Sequence, residues 1–253
     1  MTTLAGTMRL ATASTRQVLR SSELWATMIL FPGALLAMLW LFSELRFEFG
    51  SRDVTLIDFW VTGLGVLGVA VGNGHAFLAN IANWKASGVL KRISVTPITP
   101  GQLIVGEVIP RTLLGMTTLI LFMAAGNLLG ANIRLGGQLW AVLPVMVMVT
   151  FTGIGAAFTI AGATQSPQNA NAVDTAFNWP LYLLTGAIFP LGAFPMWLEE
   201  ASQFVPYAGL IATVRGLLLE GRPLTDFGTE LGIGLVWIVV VLVAATRTYR
   251  FVK

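Results

Sequence analysis

Few side chains in this 253-residue chain could do chemistry, and their spacing limits what that chemistry could be. His75 is the only histidine; it ends the segment Gly72-Asn73-Gly74-His75, with Asn80 five residues on. A lone histidine without a carboxylate at helical spacing is a poor proton relay and cannot hold a metal by itself. A neutral, hydrogen-bonded imidazole beside a cavity is therefore expected. Glu107 and Arg111 stand four apart, the spacing at which helical side chains meet. They are expected to form a structural ion pair rather than a proton relay, one or two turns from the end of an apolar segment. No run of carboxylates accompanies them in the apolar segments, which argues against a proton- or sodium-driven mechanism. Cysteine is absent, which excludes disulfides and thiolate metal sites. The chain contains no G-x-x-x-x-G-K-[ST] phosphate loop, no H-E-x-x-H and no G-x-S-x-G. Catalysis by this polypeptide is not expected, nor is a cofactor or metal bound by it.

The elements that must carry these residues are apolar. The chain has 15 basic and 12 acidic residues in a 55% hydrophobic composition, and its mean hydropathy is +0.78. The charges lie mostly between six long apolar windows, Leu24–Phe42, Ile57–Ile81, Ile104–Leu129, Leu139–Ala163, Val173–Phe189 and Leu231–Thr246. A hydrocarbon layer about 30 Å thick takes roughly 20 apolar residues to cross as a helix. The expected fold is an all-α polytopic membrane protein with six transmembrane helices in one domain over residues 1–253. A cleaved signal peptide is not expected, because the first apolar run is long and leads into Ser43-Glu44-Leu45-Arg46.

Six crossings put both ends on one side. That side would carry Arg9, Arg16, Arg20, Lys85, Lys91, Arg92, Arg111, Arg247, Arg250 and Lys253, against Arg46, Arg52, Arg134, Arg215 and Arg222 opposite. Lys and Arg favour the cytoplasmic face, so both termini are expected inside, with residues 247–253 as a cytoplasmic tail. The acidic residues between the windows gather on the other side, from Glu44 and Glu48 to Asp226 and Glu230. A nucleic-acid partner is not needed to explain the basic balance.

Before the first window, Leu4, Met8, Ala11, Thr15, Val18 and Leu19 share one stripe at helical period, with Arg9, Arg16 and Arg20 opposite. Residues 1–22 are thus expected to lie as an amphipathic helix in the inner interface, ahead of a six-span bundle over 24–246. Close-packing glycines recur, including Gly68/Gly72 and Gly228/Gly232 at G-x-x-x-G spacing, and Pro32, Pro144 and Pro180 are expected to kink their helices. Two connections stand out. The inner one, Asn83 to Pro100, is basic, begins as a short helix and ends in a Thr-Pro turn. The outer one, from Ile188-Phe189-Pro190 through Val205-Pro206-Tyr207 to Arg215-Gly216, is too apolar for a free loop and too proline-broken to cross. Paired half-helices dipping into the outer leaflet, sheltered by protein, fit it.

In this order of elements the chain resembles the ABC-2 family of ATP-binding-cassette transporter permeases, particularly the small antibiotic-export type typified by daunorubicin exporters. The inner segment matches the family pattern at Gly88, Leu90, Ile93, Thr96, Pro97 and Ile98. The outer one matches at Phe189, Pro190, Pro206, Arg215 and Gly216, with Val205 where asparagine is usual. Trp84, Ala86 and Lys91 occupy inner positions that are acidic in the family, so the contact with an ATPase would differ here.

The resemblance implies a half-size permease in a bacterial inner or plasma membrane, working with two copies of a separate ATPase subunit that bring ATP and Mg. It also implies a second permease subunit, identical or different. Coupling would fall to Trp84, Lys85, Gly88, Leu90, Lys91, Arg92, Thr96 and Pro97, with Arg9 and Arg16. Phe189, Pro190, Pro206 and Arg215 would belong to the re-entrant hairpin. Spans one, two and five would line the route, where Phe31, Trp40, Asn73, His75, Asn178, Trp179 and Tyr182 offer aromatic area and polar handles for a small hydrophobic substrate. Export of drugs or antibiotics, export of a lipid or lipid-linked glycan, and a non-transporting scaffold are the functions left open.

Overall fold

The computed structural model describes residues 52–89, 100–133 and 138–248, together with short pieces and isolated positions before them, including 26–30, 40–42 and 46–49. The expected amphipathic helix and most of the first window fall outside the described residues. Among the described residues the fold is helical apart from one small ribbon, in which β1 (Arg46–Phe49) pairs antiparallel with β2 (Arg52–Thr55). The ribbon is a small addition to the expected all-helical architecture. Two four-residue strands are too short to stand out beside the long apolar runs, although Phe47 and Phe49 alternate with Arg46 and Glu48.

The ribbon leads directly into α1 (Leu56–Ala86), whose start is fixed by a capping box. The Thr55 hydroxyl accepts from the Asp58 amide at 3.3 Å, and the Asp58 carboxylate accepts from the Thr55 amide at 3.1 Å. At 31 residues α1 is about 46 Å long, more than a hydrocarbon core requires. It ends where Ser87 bonds back to Asn83 and Gly88 takes φ +73°, a left-handed conformation that glycine adopts without steric cost.

After α1 come α2 (Pro100–Leu128), α3 (Leu139–Ala163), α4 (Pro167–Leu183), the short α5 (Met196–Ser202) and α6 (Ala208–Arg215), and finally α7 (Gly228–Thr248). Among the described residues four segments, Leu56–Ala86, Gly106–Leu128, Leu139–Ala163 and Leu224–Thr248, are long and apolar enough to cross a membrane. The expected fifth window, Val173–Phe189, is not one helix. α4 begins earlier, capped by the Ser166 hydroxyl on the Asn169 amide with Pro167 in its first turn, and the chain turns after Leu183. Its first half, Gln168-Asn169-Ala170-Asn171, is too polar to have stood out by hydropathy. α2 also contains Pro110, a helix-interior proline absent from the expected kink sites.

α1 is the centre of the bundle, with 94% of its apolar window enclosed, and α2, α3, α4 and α6 pack around it. Small residues let these helices approach. A Cβ on Gly65 would stand 2.7 Å from Leu119 Cδ1, and one on Gly115 would stand 2.6 Å from Val69 Cγ1, so α1 and α2 interlock glycine against side chain. α7 approaches α3 in the same way, because a Cβ on Gly155 would meet Val241 Cγ2 at 2.5 Å. Gly228 and Gly232, by contrast, have open space beside them, so their G-x-x-x-G spacing marks no contact within the described chain. Below the main core a second cluster gathers Phe77, Ile81, Ile104, Val108, Phe158 and Ala245, with Phe77 and Phe158 edge to face at 5.2 Å.

Candidate functional site

Polar residues buried among apolar helices are costly unless partnered, so the partners chosen show what each residue is for. On α4, Ala170, Asp174, Asn178 and Tyr182 fall at successive intervals of four and form one stripe. That stripe meets α1 at His75. The His75 Nδ1 and the Asp174 carboxylate are ion-pair partners across 99 positions of sequence. Asn178 Nδ2 donates to the other Asp174 oxygen at 2.5 Å. Asp174 is 2% exposed, whereas the His75 side chain keeps 27% of its surface open.

Aromatic rings surround the pair. Tyr182 lies edge-on to His75 at 6.3 Å between centroids, and Trp179 lies edge-on to Tyr182 at 6.5 Å. Tyr207 tilts against Tyr182 at 6.2 Å. Tyr207 has φ 71°, the only left-handed backbone among the described non-glycine residues. Such a conformation costs about 1–3 kcal/mol and persists where surrounding structure demands it. Here it turns the chain from Pro206 into α6 while keeping the ring buried against α4. One residue behind His75, Gly74 packs on Gly153 of α3, where a Cβ on Gly153 would also sit 3.6 Å from Tyr207 Oη. Asn73 donates to Thr150 Oγ1 of α3 at 3.2 Å, and its Oδ1 has no hydrogen-bond partner among the described residues.

Of the expected pathway residues, His75, Asn178, Trp179 and Tyr182 therefore come together, whereas Asn73 bonds to Thr150 on α3. Trp40 is on an exposed turn packed against α1, and Phe31 lies outside the described residues. No acid stands at helical spacing from His75; the carboxylate that meets it, Asp174, comes from α4 and was not among the expected residues. The signal was available, since Asp174 is a lone carboxylate inside an apolar window.

Two further sites of buried charge hold the bundle together. Arg111 Nε donates to Glu107 Oε2 at 3.0 Å, as their spacing predicts. Both are buried by protein rather than reaching toward a membrane surface, and Arg111 stacks 4.8 Å from the Phe77 ring centroid. Arg215, which sequence placed on the outer hairpin, is 4% exposed. Its Nη1 donates to Gly186 O at 2.7 Å, and its Nη2 donates to Phe59 O and Ala187 O at 3.1 Å each. Trp60 Nε1 adds a bond to Ile188 O at 2.8 Å, so the turn after α4 is pinned to the start of α1 by two side chains. Phe189 is exposed beyond that turn, next to Pro190. Pro206 begins the approach to α6.

At the other end of α1, Lys85 Nζ donates to Ala161 O and Thr164 O, closing the C-terminal carbonyls of α3. Lys85 is thereby engaged within the bundle. Trp84 is partly buried beside the second cluster, and Gly88 supplies the helix stop. Leu90, Lys91, Arg92, Thr96, Pro97, Arg9 and Arg16 lie outside the described residues.

A family model described as ABC-2 family transporter protein matches residues 51–247. Curated proteins similar to the chain include the probable doxorubicin resistance ABC transporter permease protein DrrC of Mycobacterium tuberculosis, 23% identical over 169 residues, 65% of this chain and 60% of that protein. The probable multidrug ABC transporter permease YbhR of Escherichia coli (strain K12) is 22% identical over 172 residues, 68% of this chain and 45% of that protein. Nodulation protein J of Rhizobium leguminosarum bv. viciae is 25% identical over 164 residues, 61% of this chain and 59% of that protein. The chain thus matches 45–60% of the length of these relatives. With most of its described helices inside the matched region, this chain belongs to the ABC-2 transporter family.

Proposed function

We propose that the chain is the membrane-spanning permease subunit of an ATP-driven exporter that moves hydrophobic drugs or antibiotics out of a bacterial cell. In this reading it has six crossings and cytoplasmic termini, an amphipathic helix at the inner interface, and α5 and α6 as an outer re-entrant hairpin. Residues 1–253 act as a single transmembrane unit paired with a second permease, identical or different, and two ATPase subunits. The chain binds no cofactor of its own, and ATP and Mg act in the ATPase partners. Closure of the ATPases pushes on the segment from Trp84 to Pro97 and on Arg9 and Arg16, and α1 carries the displacement toward the outer turn held by Arg215. Transport results if the substrate binds the inward-open and outward-open arrangements with different affinity. The observation that carries the reading is the family match over residues 51–247, supported by an aromatic and polar cluster between α1 and α4.

The test is ATPase activity of the complex reconstituted in lipid. Drugs should stimulate it, and stimulation should vanish when Gly88–Arg92 is replaced by a flexible linker. Stimulation that survives the replacement refutes the coupling assignment, and stimulation by lipid-linked glycans alone would move the cargo to that class.

A further inference from the structure

Among the described residues three carboxylates are buried, and two of them are fully accounted for by structure. Asp58 serves the α1 capping box and accepts from the Asn132 amide at 2.7 Å. Glu107 has a permanent positive partner one turn away in Arg111. Asp174 is different. Its basic partner is an imidazole on another helix, and that imidazole is the only member of the pair with open surface. Asn178 steadies the second oxygen, and the rings of Tyr182, Tyr207 and Trp179 follow one another at 6.2–6.5 Å.

A buried carboxylate beside aromatic faces suits an organic cation. The carboxylate supplies the countercharge, and the rings supply apolar area and quadrupole attraction without strongly bound water. A neutral ligand could offer that carboxylate a hydrogen bond but no countercharge. We propose that Asp174 is the anionic end of a subsite for lipophilic organic cations, entered from the open side of His75 by displacing the imidazole. In the ligand-free protein the His75 imidazole contacts the buried carboxylate; in the bound state the cation takes that place. Trp179, at 42% exposure, borders the approach. The inference deepens the exporter reading by naming its cargo class, and it rests on that reading only for the cation being cargo.

Binding can be read without any ATPase. The chain in phosphatidylcholine nanodiscs is dialysed against radiolabelled tetraphenylphosphonium or tetraphenylborate, which match in size and differ in the sign of charge, with empty discs as the blank. Saturable retention of the phosphonium over the borate is expected. Asp174→Asn should weaken it by about tenfold or more, Asp174→Glu should keep it within about threefold, and His75→Gln should keep or tighten it. Equal retention of both ions, or unchanged phosphonium binding in Asp174→Asn, overturns the proposal. Should Asp174→Asn yield no folded protein, the wild-type chain is treated with dicyclohexylcarbodiimide and the adduct mapped by mass spectrometry. Phosphonium should protect Asp174, and labelling at an undiminished rate overturns the subsite. If the subsite fails while drugs still stimulate the complex, the exporter reading stands with neutral cargo. If phosphonium binds at Asp174 but no compound stimulates the ATPase, the subsite stands and the exporter reading falls.

Discussion

Gly63→Ala should be among the most damaging single-methyl additions this protein can receive. A Cβ at position 63 would lie 2.2 Å from Arg215 Nη2, 2.6 Å from Ala187 O and 3.0 Å from Ala187 Cα. The guanidinium must therefore leave, or the turn at 186–188 must shift outward. Nη2 makes two of the three guanidinium bonds to carbonyls, and a charge-assisted bond is worth about 1.5–3 kcal/mol. Overpacking of a tight core adds about 1–3 kcal/mol. Relaxation of the turn recovers part of this, leaving an expected loss of about 3–5 kcal/mol, toward the upper end of single substitutions. The assay is equilibrium unfolding in mixed micelles with rising mole fraction of sodium dodecyl sulfate. Arg215→Met removes the obstructing group, so Gly63→Ala should cost about 1–2 kcal/mol less in that background, a coupling typical of residues in contact. Costs that add within about 0.5 kcal/mol, or a Gly63→Ala protein within about 1 kcal/mol of the parent, refute the idea that this glycine exists to seat the arginine.

Three other outcomes follow from the same kind of contact. Glu107→Gln leaves Arg111 buried without its counterion and should lower unfolding free energy by about 3–5 kcal/mol, whereas Glu107→Leu/Arg111→Leu should cost markedly less in the same titration. Lys85→Met should destabilise by about 1–3 kcal/mol by uncovering the α3 carbonyls, with faster hydrogen exchange confined to residues near Ala161–Thr164. Gly155→Leu, driven against Val241, should free α7 from α3, read as faster hydrogen exchange along Gly228–Thr248 than in the parent.

What could be read from the residues was what chemistry repeats locally. Long apolar runs announce α1, α2, α3 and α7 because lipid and core make the same demand of every turn. The Glu107–Arg111 bond was legible for a similar reason: a four-residue interval fixes two side chains on one helix face. His75 and Asp174 share no such interval, and only the packing of α4 on α1 brings them together. Arg215 was recognised by its motif, but its burial depends on a carbonyl at Phe59 and a turn at Gly186, neither of which has a side-chain signature. α4 begins before its expected window because its polar first half, exposed at Gln168, Asn169 and Asn171, carries no apolar run to announce it. Nothing in Asn83-Trp84-Lys85 reveals that the end of α3 stands within reach of Lys85.

The enclosure of α1 also bears on how the molecule can move. A helix bathed in lipid can tilt or roll and let fluid chains fill the space it leaves. α1 is sheathed by protein along 94% of its apolar window, so any rotation must be matched by its neighbours. It behaves less like a lever than like the spindle of a lock. A small torque at Lys85 would be felt at the Arg215 clasp about seven turns away, and the helices around it would have to slide together or stay still.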